Sequence, residues 1–131
     1  MLEKEEKKEK AVLILDDDKF LSDMYAVKFK EKGFNVATAL DGDEALEKLK
    51  EGPEPDVVLL DLVMSDMDGF EFLKRAKNEK LTKDSKFIIL SNLGQESDVK
   101  KGKDLGADGY IIKAKATPSE VVQYVTEIID K

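Results

Sequence analysis

The sequence predicts an α/β domain: a five-stranded parallel sheet, doubly wound, with helices on both faces. Two observations point there. Short apolar runs alternate with longer helix-like segments five times along the 131 residues. The runs are apolar nearly throughout, as strands become when both faces are buried. Five β-then-α units in succession leave a parallel sheet as the simple topology.

The strands are read at Ala11–Leu15, Asn35–Ala39, Val57–Leu60, Lys86–Leu90 and Gly109–Ile112. The first helix, Lys19–Lys32, carries an apolar stripe of Leu21, Met24, Tyr25 and Phe29. Gly33 ends it where a left-handed residue is wanted. The second, Asp43–Lys50, has the shorter stripe Ala45, Leu46 and Leu49, and the third covers Phe70–Asn78. The fourth, Asp98–Leu105, contains Gly102, which costs a helix interior about 1 kcal/mol relative to Ala. This helix is expected to be the least stable element. The last, Ser119–Asp130, follows Thr117-Pro118, a favourable helix start, and presents Val121, Val125, Ile128 and Ile129. Residues 1–10 hold four Lys and four Glu and read as a charged, flexible N-terminal arm; residues 11–131 read as one domain.

Composition removes several function classes. There is no Cys and no His, so disulfides, thiolate chemistry, Ser-His-Asp catalysis and the usual zinc sites are excluded. A formal net charge of −7 disfavours direct nucleic-acid binding, which relies on Lys and Arg at phosphates. No apolar run approaches the ~20 residues of a membrane span. The N-terminus lacks the apolar core of a secretory signal, so a soluble cytoplasmic protein is expected.

In an open sheet of this kind the functional site lies beyond the carboxyl ends of the strands. The first strand ends in Asp16-Asp17-Asp18, the third in Asp61, the fourth in Ser91 and the fifth in Lys113. Carboxylates gathered in one crevice repel one another, and a bound cation relieves the repulsion. Oxygen donors without His or Cys select a hard ion, and Mg²⁺ suits two or three carboxylates plus water. Mg²⁺ in turn favours a phosphate ligand, and a carboxylate can be the nucleophile in phosphoryl transfer. Such a transfer needs mainly alignment and neutralisation of the phosphoryl oxygens. Lys113 can supply a point charge, Ser91 a hydroxyl donor, and the loop after Asp61 backbone N–H groups.

Four segments carry a closer resemblance: Leu-Ile-Leu-Asp16-Asp17-Asp18, Val-Val-Leu-Leu-Asp61-Leu-Val-Met-Ser-Asp-Met-Asp68-Gly69, Phe-Ile-Ile-Leu-Ser91-Asn92 and Gly-Ala-Asp-Gly-Tyr110-Ile-Ile-Lys113. In order and spacing, over about residues 11–130, they resemble the receiver domains of two-component response regulators. The resemblance implies a flavodoxin-like (βα)₅ sandwich with strand order 2-1-3-4-5. It implies a phosphoprotein switch rather than an enzyme acting on other molecules. Asp61 would be the phosphoacceptor. Asp16, Asp17 and Asp61, with the backbone carbonyl of Val63, would hold Mg²⁺, for which Mn²⁺ is an acceptable substitute. Lys113 and Ser91 would contact the phosphoryl group, and Ser91 with Tyr110 would form the switch. The donor would be a sensor histidine kinase or a phosphotransfer protein in a phosphorelay. The output face would be the fourth helix, fifth strand and fifth helix, read by an unidentified downstream protein. A monomer or weak dimer, acting as a stand-alone receiver, is expected.

The chain also departs from that pattern. Ser65 and Ala114 stand where the family usually has Pro, which leaves open whether Lys113-Ala114 is trans or cis. Asn92 is larger than the usual small residue beside the switch hydroxyl and is expected to restrict a partner's approach. Val63 and Leu93, at positions that tune loss of the phosphoryl group in this family, are apolar and cannot orient an attacking water, so a long-lived acyl phosphate is expected. Asp18, Asp66 and Asp68 read as turn formers and helix caps. Other classes fit less well. A haloacid-dehalogenase-type phosphatase wants a different residue pattern after its first Asp, and a flavodoxin-type carrier would repel its FMN phosphate with three aspartates. The remaining rival is a receiver-like interaction module, natural or engineered, that is never phosphorylated.

Overall fold

The computed structural model describes residues 9–130. Most of the expected N-terminal arm, residues 1–8, lies outside the described residues. The elements run β1 (Ala11–Leu15), α1 (Lys19–Glu31), β2 (Asn35–Ala39), α2 (Gly42–Glu51), β3 (Val57–Leu60), α3 (Gly69–Asn78), β4 (Lys86–Ser91), α4 (Glu96–Asp104), β5 (Gly109–Ile112), a 3₁₀ turn (Lys113–Lys115) and α5 (Pro118–Ile129). All strands are parallel, in the order β2-β1-β3-β4-β5. This is the predicted flavodoxin-like arrangement.

Alternation along each strand divides the apolar side chains between two layers. Val12, Ile14, Val57, Leu59, Ile88 and Leu90 pack with Phe29 of α1 and with Val121 and Val125 of α5. Leu13, Leu15, Val58, Leu60, Phe87 and Ile89 face the other way, onto Leu46 and Leu49 of α2 and onto Phe72 and Leu73 of α3. The central strands β1, β3 and β4 thus have almost no solvent face, which accounts for their apolar runs, whereas the edge strand β2 exposes Asn35 and Ala37.

The buried stripe of α1 is Ser22, Tyr25, Ala26 and Phe29; Tyr25 and Phe29 were expected there and Leu21 packs partly buried beside them, but Met24 is 39% exposed. Two small residues, Ser22 and Ala26, complete the packed face, and hydropathy does not mark them. Gly33 has φ +88°, the left-handed conformation expected of it. Helix α4 begins two residues earlier than predicted, with the Asp98 carboxylate accepting from the Gln95 N–H. The 3₁₀ turn after Lys113 has no apolar period and was not foreseen. There is no cis peptide bond among the described residues, so Lys113-Ala114 is trans.

The register sets up the site. Leu15 pairs with Leu60, and the Asp61 N–H continues the ladder to the Leu15 carbonyl at 2.9 Å. Asp16 and Asp61 therefore lie side by side, one step past the paired residues. Ser91 pairs with Ile112, which places Lys113 immediately beyond.

Candidate phosphoacceptor site

The ends of β1, β3, β4 and β5 border an open cleft of about 440 Å³. Asp16, Asp17, Asp61, Ser91 and Lys113 all line it, as does Val63. Every side chain singled out at the strand ends is thus in one place. Tyr110 stands to one side, at the start of β5.

Asp61 is buried at 7% exposure. Its Oδ1 accepts from the Leu62 N–H at 2.7 Å, and its Oδ2 from Lys113 Nζ at 3.0 Å. Asp16 is also buried; its Oδ1 accepts from the Asp18 N–H and its Oδ2 from Lys113 Nζ, each at 2.9 Å. Asp17 is exposed and accepts from the Ser65 N–H at 3.2 Å, joining the β1 loop to the β3 loop. The Lys113 ammonium is thus shared by two carboxylates. Burial alone would lower its pKa, but the hydrogen bond to Asp16 and the charges of Asp61 and Asp16 together raise it. Burial pushes the Asp16 carboxyl up, against the lowering effect of Lys113 and the Asp18 N–H.

Oxygen atoms of Asp16, Asp17 and Asp61 lie within 4.8 Å of one another. Three carboxylates against one ammonium leave the cluster net negative, and all the donors are oxygens. That donor set fits a hard divalent cation.

Ser91 is fully buried, and its Oγ accepts from the Leu93 N–H at 3.2 Å. A hydroxyl that accepts keeps its proton free to donate. The Tyr110 hydroxyl donates to the Leu93 carbonyl, so one loop residue engages both Ser91 and Tyr110. Val63 and Leu93, at 60% and 38% exposure, form an apolar rim. Asp18 and Asp68 do what was expected of them, accepting from the Leu21 and Glu71 N–H groups as caps of α1 and α3.

Two features escaped sequence reasoning. A Cβ on Gly69 would lie 2.1 Å from the Asp61 carbonyl oxygen. The Gly69 N–H also donates to the Leu62 carbonyl at 2.9 Å, so the start of α3 is seated on the backbone of the Asp61 loop. The Asp-Gly pair marked a turn, but only the fold reveals the contact. The other is Asn92, whose Oδ1 accepts from the Ala114 N–H at 2.9 Å.

The fold and this acidic, lysine-bearing cleft define a class of parallel α/β domain whose carboxylates and ammonium meet at the strand ends. Comparison with known proteins makes the class specific. The response regulator receiver domain family matches residues 12–126, and the chain belongs to that family of two-component signalling. It is 32% identical over 118 residues to the phosphate regulon transcriptional regulatory protein PhoB of Escherichia coli strain K12, covering 90% of this chain and 51% of PhoB. It is 39% identical over 104 residues to the chemotaxis protein CheY of Treponema pallidum, covering 78% of this chain and 71% of that one. The crystal structure of a CheY-like receiver domain protein from Methanospirillum hungatei JF-1 superposes with a TM-score of 0.85 at 28% identity, covering 94% and 95% of the two chains. The chain spans about half the length of PhoB and of several other curated relatives that it matches.

Proposed function

We propose that this receiver is a phosphoacceptor switch in which Asp61 takes a phosphoryl group from a phosphohistidine on a sensor histidine kinase or a phosphotransfer protein. The observation that carries this reading is the convergence of Asp16, Asp17, Asp61 and Lys113 within hydrogen-bonding or ligand-sharing distance. An Asp61 carboxylate oxygen attacks phosphorus, the P–N bond breaks, and its electron pair returns to the imidazole. The product is an acyl phosphate. Asp16, Asp17 and Asp61, with the Val63 carbonyl, would hold Mg²⁺ or Mn²⁺. When bound, the ion supplies charge that neutralises phosphoryl oxygens.

Lys113, already on Asp61, meets the negative charge that the phosphoryl group adds there. Ser91 offers its free proton to a phosphoryl oxygen. Because Leu93 engages both Ser91 and Tyr110, movement of Ser91 toward the phosphate is passed to Tyr110 and to the face formed by α4, β5 and α5. A separate downstream protein in the cytoplasm reads that face. The apolar rim of Val63 and Leu93 orients no water, and the acyl phosphate is accordingly long-lived.

Intact-protein mass after incubation with acetyl phosphate and Mg²⁺ tests this reading. One added phosphoryl group is expected, absent from Asp61→Asn and from a sample in EDTA. A folded wild-type protein that gains nothing would leave a non-phosphorylated interaction module as the function. Decay of the adduct within seconds would overturn its expected long life.

A further inference from the structure

Asn92 directly follows Ser91 at the end of β4, and Ala114 directly follows Lys113 at the end of β5. The Asn92 Oδ1 spans the gap between these strand ends and accepts from the Ala114 N–H at 2.9 Å. Ala114 is the second residue of the 3₁₀ turn, and the N–H groups at the start of such a turn have no partner within it. Asn92 therefore caps the turn from another strand. Every other side-chain cap in the described helices comes from a residue next to the helix in sequence.

The position of the capped N–H gives the bond a consequence. Lys113 opens the turn, and its ammonium must reach back to both Asp16 and Asp61 at about hydrogen-bond length. The long, flexible lysine stem would otherwise sample many rotamers. Among the described residues, no backbone hydrogen bond ties the turn to the sheet once β5 has ended at Ile112: the Ala116 N–H closes on Lys113 itself, at 3.4 Å. Alanine at 114 leaves φ free and supplies the N–H that Asn92 takes up.

We propose that Asn92 is a positioning residue for phosphoryl transfer, fixing the Lys113–Ala114 backbone so that the Lys113 ammonium is held on the Asp61 carboxylate. The proposal rests on the reading of Asp61 as phosphoacceptor. Asn92 acts through Lys113 and makes no contact with the phosphoryl group. The same bond couples the strand that carries Ser91 to the strand that carries Lys113, so the two groups that meet the phosphoryl oxygens are set relative to each other.

A double-mutant cycle separates positioning from direct contact. Phosphorylation by acetyl phosphate and Mg²⁺ is followed in wild type, Asn92→Ala, Lys113→Ala and the double variant. Asn92→Ala should slow the reaction about fivefold, the effect of losing one ordinary hydrogen bond. In the Lys113→Ala background the same substitution should change nothing. Equal slowing in both backgrounds would mean that Asn92 acts on the donor itself and would overturn the proposal. Asn92→Asp, which keeps an acceptor at the same place, should restore the rate at high salt, where its added charge is screened. Failure of that rescue would also count against it.

Amide exchange at Ala114 and NMR relaxation at Lys113 Cε give readouts independent of phosphorylation. Faster exchange and a more mobile Lys113 in Asn92→Ala are expected; unchanged values in a folded variant would overturn the proposal. If wild type accepts no phosphoryl group, the reading of Asp61 fails, and these two readouts still decide what Asn92 does to Lys113.

Discussion

Helices α3 and α4 make an instructive pair. Each follows a strand that ends at the cleft, and they are nearly equal in length, ten and nine residues. Yet α3 buries Gly69, Phe72, Leu73 and Ala76, whereas α4 buries only Gly102. The start of α3 is seated on the Asp61 loop through Gly69, while α4 approaches the sheet through a glycine beneath Ile89 and Tyr110. The side of the cleft that holds the acceptor is thus anchored by its helix, whereas α4, beside Tyr110, buries almost none of its own side chains. Segments that move in switching are drawn from the weakly packed end of a structure. The output face proposed above includes this weakly packed helix.

The largest test of that contrast compares one apolar residue from each helix. Phe72 is fully buried against Phe87, their ring centroids 6.4 Å apart. Phe72→Ala should lose about 3–5 kcal/mol of stability in urea unfolding. Val99 of α4 is 39% exposed, and Val99→Ala should stay within about 0.5 kcal/mol of wild type. Comparable losses at the two positions would erase the distinction between the helices.

The next effect is at Gly69. The atoms its added Cβ would meet are backbone, the Asp61 carbonyl oxygen and the Leu62 Cα, and cannot rotate away. Gly69→Ala should lose about 2–3 kcal/mol, as overpacking does. Displacing the Asp61 backbone should also cut phosphorylation sharply in whatever fraction folds. Normal phosphorylation of a folded Gly69→Ala protein would show that the acceptor loop is not held by α3.

Charge sharpens the contrast from another direction. Burial, the largest influence, holds the Asp16 carboxyl above its ordinary 3.8; the Lys113 hydrogen bond opposes the rise and the Asp61 charge adds to it. A raised folded pKa means that the folded state binds the proton more tightly. The resulting stabilisation is full below 3.8 and is lost as pH rises through the raised value. Asp16→Asn has no such loss, and Lys113 keeps Asp61 as a partner. Measured in EDTA, the variant should have the higher Tm near neutral pH, with the gap closing as pH falls toward 3.8. A gap that widened on acidification would contradict this account.

How much of this was legible beforehand follows from what each feature depends on. The strands and the gathering of Asp16, Asp61, Ser91 and Lys113 were legible because parallel register carries strand ends to one edge. Caps at Asp18 and Asp68 were legible because a cap acts over three residues. Met24 was misplaced because the packed face of α1 uses Ser22 and Ala26, whose small size matters and whose hydropathy does not signal it. Asn92 bonds 22 residues away, and Gly69 touches the Asp61 carbonyl across a loop. No local pattern encodes either distance.

Gly102 gives a small expected change in stability and the finest test of the weakly packed side. From sequence it was only a helix-weakening residue. In the fold, an added Cβ would lie 2.6 Å from Ile89 Cδ1 and 3.6 Å from the Tyr110 ring, so the missing side chain is what lets α4 lie over both. Ala in a helix interior gains about 1 kcal/mol over Gly. Here that gain is opposed by the clash, which the end of a flexible Ile side chain can relieve by rotating. Gly102→Ala should therefore unfold within about 1 kcal/mol of wild type, the two terms offsetting. Tyr110 should respond instead, because Ile89 and the helix must yield beside its ring. The expected outcome is an altered Tyr110 ring NMR signal and a weaker bond to the Leu93 carbonyl, with Asp61 phosphorylated at the normal rate. An unchanged Tyr110 signal would mean that α4 shifts freely enough to absorb a methyl group, and that Gly102 does not set the position of the tyrosine.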